Sequence, residues 1–119
     1  MKSGLSKKTL EKINTVFQQH PEIKTVRLFG SRAIGNYRKN SDIDLALTGK
    51  LNDQLLNRIY HELDELPLPY LFDVKIYSQI SHAGLKKHIK FFGKEIYSKK
   101  QSKERRRLAK SLNPIKKRN

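Results

Sequence analysis

Three acidic residues occupy positions where an apolar strand would carry aliphatic ones. Asp42 and Asp44 flank Ile43 in the run Asp42-Ile43-Asp44-Leu45-Ala46-Leu47, and Asp73 sits between Phe72 and Val74. In an extended chain residues i and i+2 share a face. Asp42 and Asp44 therefore point one way, while Ile43, Leu45 and Leu47 point the other. Two carboxylates side by side repel each other and raise their pKa values. A divalent cation relieves that repulsion, and hard oxygen ligands suit Mg²⁺ or Mn²⁺. If the strand of Asp73 pairs with that of Asp44, three carboxylates converge. Such a set can hold two metals for an in-line displacement at phosphorus, one activating the acceptor oxygen and the other holding a triphosphate.

Gly30-Ser31 supplies a partner for that chemistry. A glycine directly after the short strand Thr25-Val26-Arg27-Leu28-Phe29 lets the backbone approach a phosphate closely. The N–H groups that follow can bind the anion, and Ser31 adds a hydroxyl. Arg32, Arg38 and Lys39 are basic residues in reach of further phosphate charge. The segment is not a Walker-type loop, because no Gly-Lys-Ser/Thr closes it. Each piece alone has a plainer reading. An Asp-x-Asp is commonly a solvated or capping pair, a Gly-Ser a turn, and Asp73 an exposed strand residue. Tyr37 is equally a base-stacking residue or a packed loop tyrosine. His20, His61, His82 and His88 show no metal-ligand spacing and read as helix-end or surface residues. The signal lies in the order and spacing of the acids and the Gly-Ser together.

The elements that must position these groups follow from periodicity. Leu10, Ile13, Val16 and Phe17 recur at helical spacing, with Ser6 as N-cap and Pro21 as the stop. Thr25 to Phe29 is a short strand. A polar loop from Gly30 to Ser41, with a helical turn near Arg32–Ile34, leads to a second strand from Asp42 to Leu47. Asn52 or Asp53 caps a helix running to about Leu66, where Pro67 and Pro69 break it. A third strand spans Leu71 to Tyr77. Ser81 caps a further helix through Phe92, ended by Gly93, and Glu95-Ile96-Tyr97 forms a last short strand. The fold class is α/β (α+β): a small mixed sheet with helices packed on it.

Composition bounds the rest. A chain of 119 residues supports one compact domain. The absence of cysteine excludes disulfides, thiol catalysis and Cys-ligated metal. No apolar run approaches a membrane span or the core of a signal peptide, so a cytoplasmic protein without membrane contact is expected. The net charge of +15 is uneven. Residues 98–119 hold ten basic residues and the single acid Glu104, which leaves residues 1–97 a net of +6. The chain thus divides into a domain over 1–97 and a basic, flexible tail over 98–119. Such a tail favours RNA, an acidic partner or another polyanion. It lacks aromatic residues for base stacking. Gln101 to Leu112 is a segment that can turn helical on a partner, with Pro114 ending it.

The stretch LFGSRAIGNYRKNSDIDLAL resembles the minimal nucleotidyltransferases of the DNA polymerase β-type superfamily. The family pattern is a strand, Gly-Ser, a loop of about ten residues, acid-x-acid on the next strand, and a distant third acid. Here Arg32 to Ser41 separates Gly30-Ser31 from Asp42, and FDVKIYSQI resembles the segment bearing the third acid. The resemblance covers roughly residues 1–97. It implies the polymerase β-type fold, with Asp42 and Asp44 binding both metals. Asp73 would bind the catalytic metal and take the acceptor's proton. Gly30, Ser31 and Arg32 would bind the nucleotide. It implies Mg²⁺ as cofactor and ATP as substrate. Many relatives of this size pair with a HEPN-type toxin and transfer AMP to one of its tyrosines, an antitoxin role. Transfer to a small molecule or an RNA end is an alternative, as is a non-catalytic module that sequesters a toxin or RNA. Lys75 departs from expectation: it shares the face of Asp73, where a small or apolar residue belongs, and either contacts phosphate or competes with metal.

Overall fold

Ser6 begins the first helix as its position predicts. Its Oγ accepts the Thr9 N–H at 3.0 Å, and helix α1 (Lys7–Gln18) buries Ile13, Val16 and Phe17. Asn52 plays the same part for helix α3 (Asp53–Asp64), its Oδ1 accepting the Leu55 N–H at 2.8 Å. Both caps satisfy an N–H group that the first helical turn leaves without a partner. The computed structural model describes residues 3–112. The remaining elements are β1 (Ile23–Phe29), the one-turn helix α2 (Ser31–Ile34), β2 (Ile43–Gly49), β3 (Phe72–Ile76), a 3-10 turn over Tyr77–Gln79, α4 (Ala83–Phe92), β4 (Lys94–Ser98) and α5 (Lys99–Leu112).

The strands form a mixed sheet in the order β3-β2-β1-β4. β1 runs antiparallel to both β2 and β4, while β2 and β3 run parallel. Parallel neighbours need a crossover connection, and α3 provides it. Side chains alternate between two faces. Val26 and Leu28 of β1 and Ile43, Leu45 and Leu47 of β2 are fully buried in the main core with Phe17, Ile59 and Leu63 from α1 and α3. Truncating Phe17 to alanine there would cost about 3–5 kcal/mol. The opposite face carries a smaller cluster in which Phe29 and Ala46 meet Ile89 of α4. The face of Asp44 on β2 is therefore the one that α1 and α3 leave open.

The elements differ in places from the sequence reading. The third strand is shorter than Leu71–Tyr77, because Tyr77 enters the 3-10 turn. The fourth helix is capped by His82 rather than Ser81: its Nδ1 accepts the Leu85 N–H at 3.0 Å. Beyond β4 the chain continues directly as α5, which touches the sheet only near its start, and every residue from Lys103 to Ser111 is exposed. Pro114 lies outside the described residues. No helix among the described residues is long and apolar enough to cross a membrane.

Candidate active site

β2 and β3 are in register so that Asp44 lies beside Asp73 and Ala46 beside Lys75. On the other side of β2, Asp44 lies beside Phe29, the last residue of β1. Asp42 precedes β2 by one residue and is exposed, whereas Asp44 and Asp73 are half-buried. The sheet thus brings to one edge the three carboxylates that the sequence singles out. Asp44 bears the electrostatic consequence. Burial is the main cause that lifts its pKa from 3.8 to about 6, the negative charges of Asp73 and Asp42 add to the rise, and Lys75 opposes it. The Lys75 Nζ lies 3.5 Å from Asp73 Oδ1, so this lysine lends its charge to the acidic group.

Among the described residues no three acidic or histidine side chains close into a preformed metal cage. The donor set nonetheless fits a hard divalent cation. All its groups are carboxylate oxygens, and their mutual repulsion is what such an ion offsets. Mg²⁺ is commonly held by one or two carboxylates completed by substrate phosphates and water rather than by an all-protein cage. In that case Lys75 competes for Asp73.

Gly30 turns the chain out of β1 at φ 77° and ψ −155°, a backbone that suits glycine. A Cβ on Gly30 would collide with Asp44 Oδ2, so the turn packs directly against the central acid. α2 begins at Ser31, and the Ala33 N–H returns to the Gly30 carbonyl at 3.1 Å. The Gly30 N–H is already engaged: His88 Nε2 of α4 accepts it at 2.9 Å. His88 also stacks edge-on against Phe29, with ring centroids 6.3 Å apart, and packs on Phe92. Sequence spacing gave no sign of this histidine, which lies 58 residues from the glycine it serves and read as a surface or helix-end residue. Only the packing of α4 on the open sheet face brings the two together.

Arg32, expected as a nucleotide ligand, is instead turned inward onto backbone carbonyls. It is only 2% exposed. Its guanidinium donates to the carbonyls of Ser3 at 2.9 Å, Ser41 at 3.1 Å and Lys39 at 3.3 Å. It also lies over the rings of Tyr37 and Tyr70, about 5 Å from each centroid. Arg32 therefore ties the N-terminal segment to the loop that delivers Asp42, and the correction follows from its neighbours: five N–H donors in a planar fork match converging carbonyls. Tyr37 packs on this arginine. Arg38 and Lys39 remain exposed on the same loop.

The comparisons with known proteins agree with this geometry. The sequence model of the family described as Polymerase beta, Nucleotidyltransferase matches residues 11–102. No curated protein matches the sequence. Among solved structures, a toxin–antitoxin complex with AMP-PNP matches at a TM-score of 0.64 and 22% identity, covering 91% of this chain and 92% of that one. The toxin–antitoxin MntA–HepT matches at a TM-score of 0.58 and 20% identity, covering 91% and 90%. A tri-AMPylated Shewanella oneidensis HEPN toxin in complex with its MNT antitoxin matches at 0.57 and 19%, covering 91% and 89%. These likenesses show a shared fold.

Proposed function

The chain belongs to the polymerase beta nucleotidyltransferase family, and from that premise we propose that it transfers AMP from ATP, with Mg²⁺, to a tyrosine of a HEPN-type toxin. The observation that carries this reading is the register of β2 and β3. It sets Asp44 beside Asp73, with Asp42 two residues upstream and the Gly30 turn packed on Asp44. The solved relatives add the partner class: one complex holds AMP-PNP, and another pairs an MNT antitoxin with an AMPylated HEPN toxin.

In this reading Asp42, Asp44 and Asp73 hold the metal. Mg²⁺ held there would supply positive charge to the triphosphate and lower the pKa of the acceptor hydroxyl. Gly30, whose own N–H is taken by His88, lets the backbone approach the phosphates, and Ser31 holds them through its N–H and hydroxyl. The phenolic oxygen attacks the α-phosphorus in line, the bond from that phosphorus to the bridging oxygen breaks, and pyrophosphate leaves. The phenolic proton passes to the Asp73 carboxylate. Half-burial of Asp44 and Asp73 lowers the local dielectric, which strengthens their hold on a cation.

The test is transfer of label from ATP labelled at the α-phosphate, with Mg²⁺, to a HEPN protein encoded beside this chain. Wild type is compared with Asp42→Ala/Asp44→Ala. Label on the partner with wild type alone supports the reading. Absence of transfer, with tight partner binding by both forms, overturns it in favour of an antitoxin that acts by contact.

A further inference from the structure

Helix α5 has a charge pattern that the transfer reaction does not use. Its 14 residues include Lys99, Lys100, Lys103, Arg105, Arg106, Arg107 and Lys110 against the single acid Glu104. Three of these basic residues meet the body of the domain. Lys99 donates to the Pro21 carbonyl at 2.8 Å, and Arg105 and Arg106 border a cleft of about 190 Å³ against Asn14 and Gln18 of α1. Lys100, Lys103, Arg107 and Lys110 follow the spacing i, i+3, i+7, i+10. At about 100° per residue they form one row about 15 Å long on the side turned away from α1. All four are exposed. Glu104 accepts from Arg107 at 2.5 Å, and Leu108 is an exposed apolar residue beside the row.

We propose that α5 enters the major groove of duplex DNA, with Lys100, Lys103, Arg107 and Lys110 on the phosphates that flank it; every residue from Lys103 to Ser111 is exposed and free to do so. Regular cationic spacing of about 5 Å along a helix suits a polyanion with repeating charge. A protein partner is disfavoured because protein interfaces are anchored by apolar and aromatic side chains at their centre, and this row contains none. A single strand is disfavoured because residues 99–112 hold no aromatic side chain for stacking. Between duplexes, the major groove of B-form DNA is about 12 Å wide and admits a helix about 10–12 Å across. The major groove of A-form RNA is too narrow for one. The inference stands whether or not the transfer reaction is as read above.

The experiment measures binding of the full chain to a fluorescent 20-base-pair DNA duplex across a salt series. Four neutralised phosphates give a slope of log affinity on log salt near −3.6, or about a hundredfold loss between 50 and 200 mM. The quadruple variant Lys100→Gln/Lys103→Gln/Arg107→Gln/Lys110→Gln is compared with Lys7→Gln/Lys8→Gln/Lys12→Gln/Lys24→Gln, which removes the same charge from exposed sites elsewhere. The α5 variant is expected to lose most of the salt slope and the control little. Equal loss in both overturns the proposal, as does equal or tighter binding of an RNA duplex or of a poly-glutamate peptide. Helicity of both variants is checked by circular dichroism, and binding by a variant that keeps wild-type helicity but lacks the row also overturns it.

Discussion

His88 Nε2 on α4 accepts the N–H of Gly30 at 2.9 Å. This bond joins the helix on the open face of the sheet to the turn that packs on Asp44. It also fixes the tautomer: Nε2 must carry no proton, so the proton of the neutral ring is on Nδ1. His88→Ala would free the turn and remove a hydrogen bond worth about 1 kcal/mol net. Affinity for a non-hydrolysable ATP analogue is then expected to fall about fivefold by calorimetric titration. His88→Gln keeps an acceptor and is expected to recover part of the loss. Wild-type affinity in His88→Ala would show that the turn does not depend on this contact.

Lys75 and Asp73 share a 3.5 Å contact between half-exposed side chains. Such a pair contributes roughly 0–1 kcal/mol, so its competition with metal is modest. Lys75→Met is expected to lower the Mg²⁺ concentration for half-maximal activity by about two- to fivefold. A fall in maximal rate at saturating Mg²⁺, with the metal requirement unchanged, would assign Lys75 to phosphate contact instead.

Arg32 is a structural anchor. Its three carbonyl contacts join residues 3, 39 and 41, and the rings of Tyr37 and Tyr70 lie against it. Arg32→Ala would leave those carbonyls without their donors and open a cavity. The expected cost is about 3 kcal/mol or more, measured by urea denaturation. Arg32→Lys is expected to recover little, since an ammonium cannot reproduce the planar fork. Unchanged stability with a selectively raised KM for ATP would restore Arg32 to nucleotide binding.

Arg32 and His88 also mark where the sequence stops being legible. The acids and Gly30-Ser31 could be read because strand alternation and local spacing carry their meaning along a few residues. The caps Ser6 and Asn52 are legible for the same reason: cap and partner lie three residues apart. Arg32 has the right type and place for phosphate, and only three-dimensional burial turns it inward. His88 acts on a residue 58 positions away, and no periodicity encodes that. Parallel pairing of β2 and β3 is likewise a tertiary fact, because α3 and the 65–71 connection lie between the strands. Helix α5 was legible as a segment able to form a helix. The division of its charges between body and solvent was not, since it depends on where α1 and Pro21 lie.

Asp44 gives the acidic site a pH signature. Its pKa rises from 3.8 to about 6 in the fold, through burial first and then through Asp73 and Asp42. A carboxyl with a raised folded pKa binds its proton more tightly in the native state. The native state then holds more protons than the unfolded one between about pH 4 and pH 6, and stability falls as pH climbs through that window. Above about pH 6 the ionised Asp44 destabilises the metal-free fold by a constant amount. Asp44→Asn removes the ionisable group, so the metal-free variant is expected to melt higher than wild type at pH 7.5 and to lose the drop between pH 4 and 6. Mg²⁺ binds the ionised form and offsets its repulsion, so it is expected to raise the wild-type Tm at pH 7.5 and leave Asp44→Asn nearly unmoved. Thermal melts of both proteins at pH 4.5, 6 and 7.5, with and without Mg²⁺, measure all of these. A wild-type Tm that rises from pH 4.5 to 7.5 without metal, in step with Asp44→Asn, would show that Asp44 is not the strained group of this site.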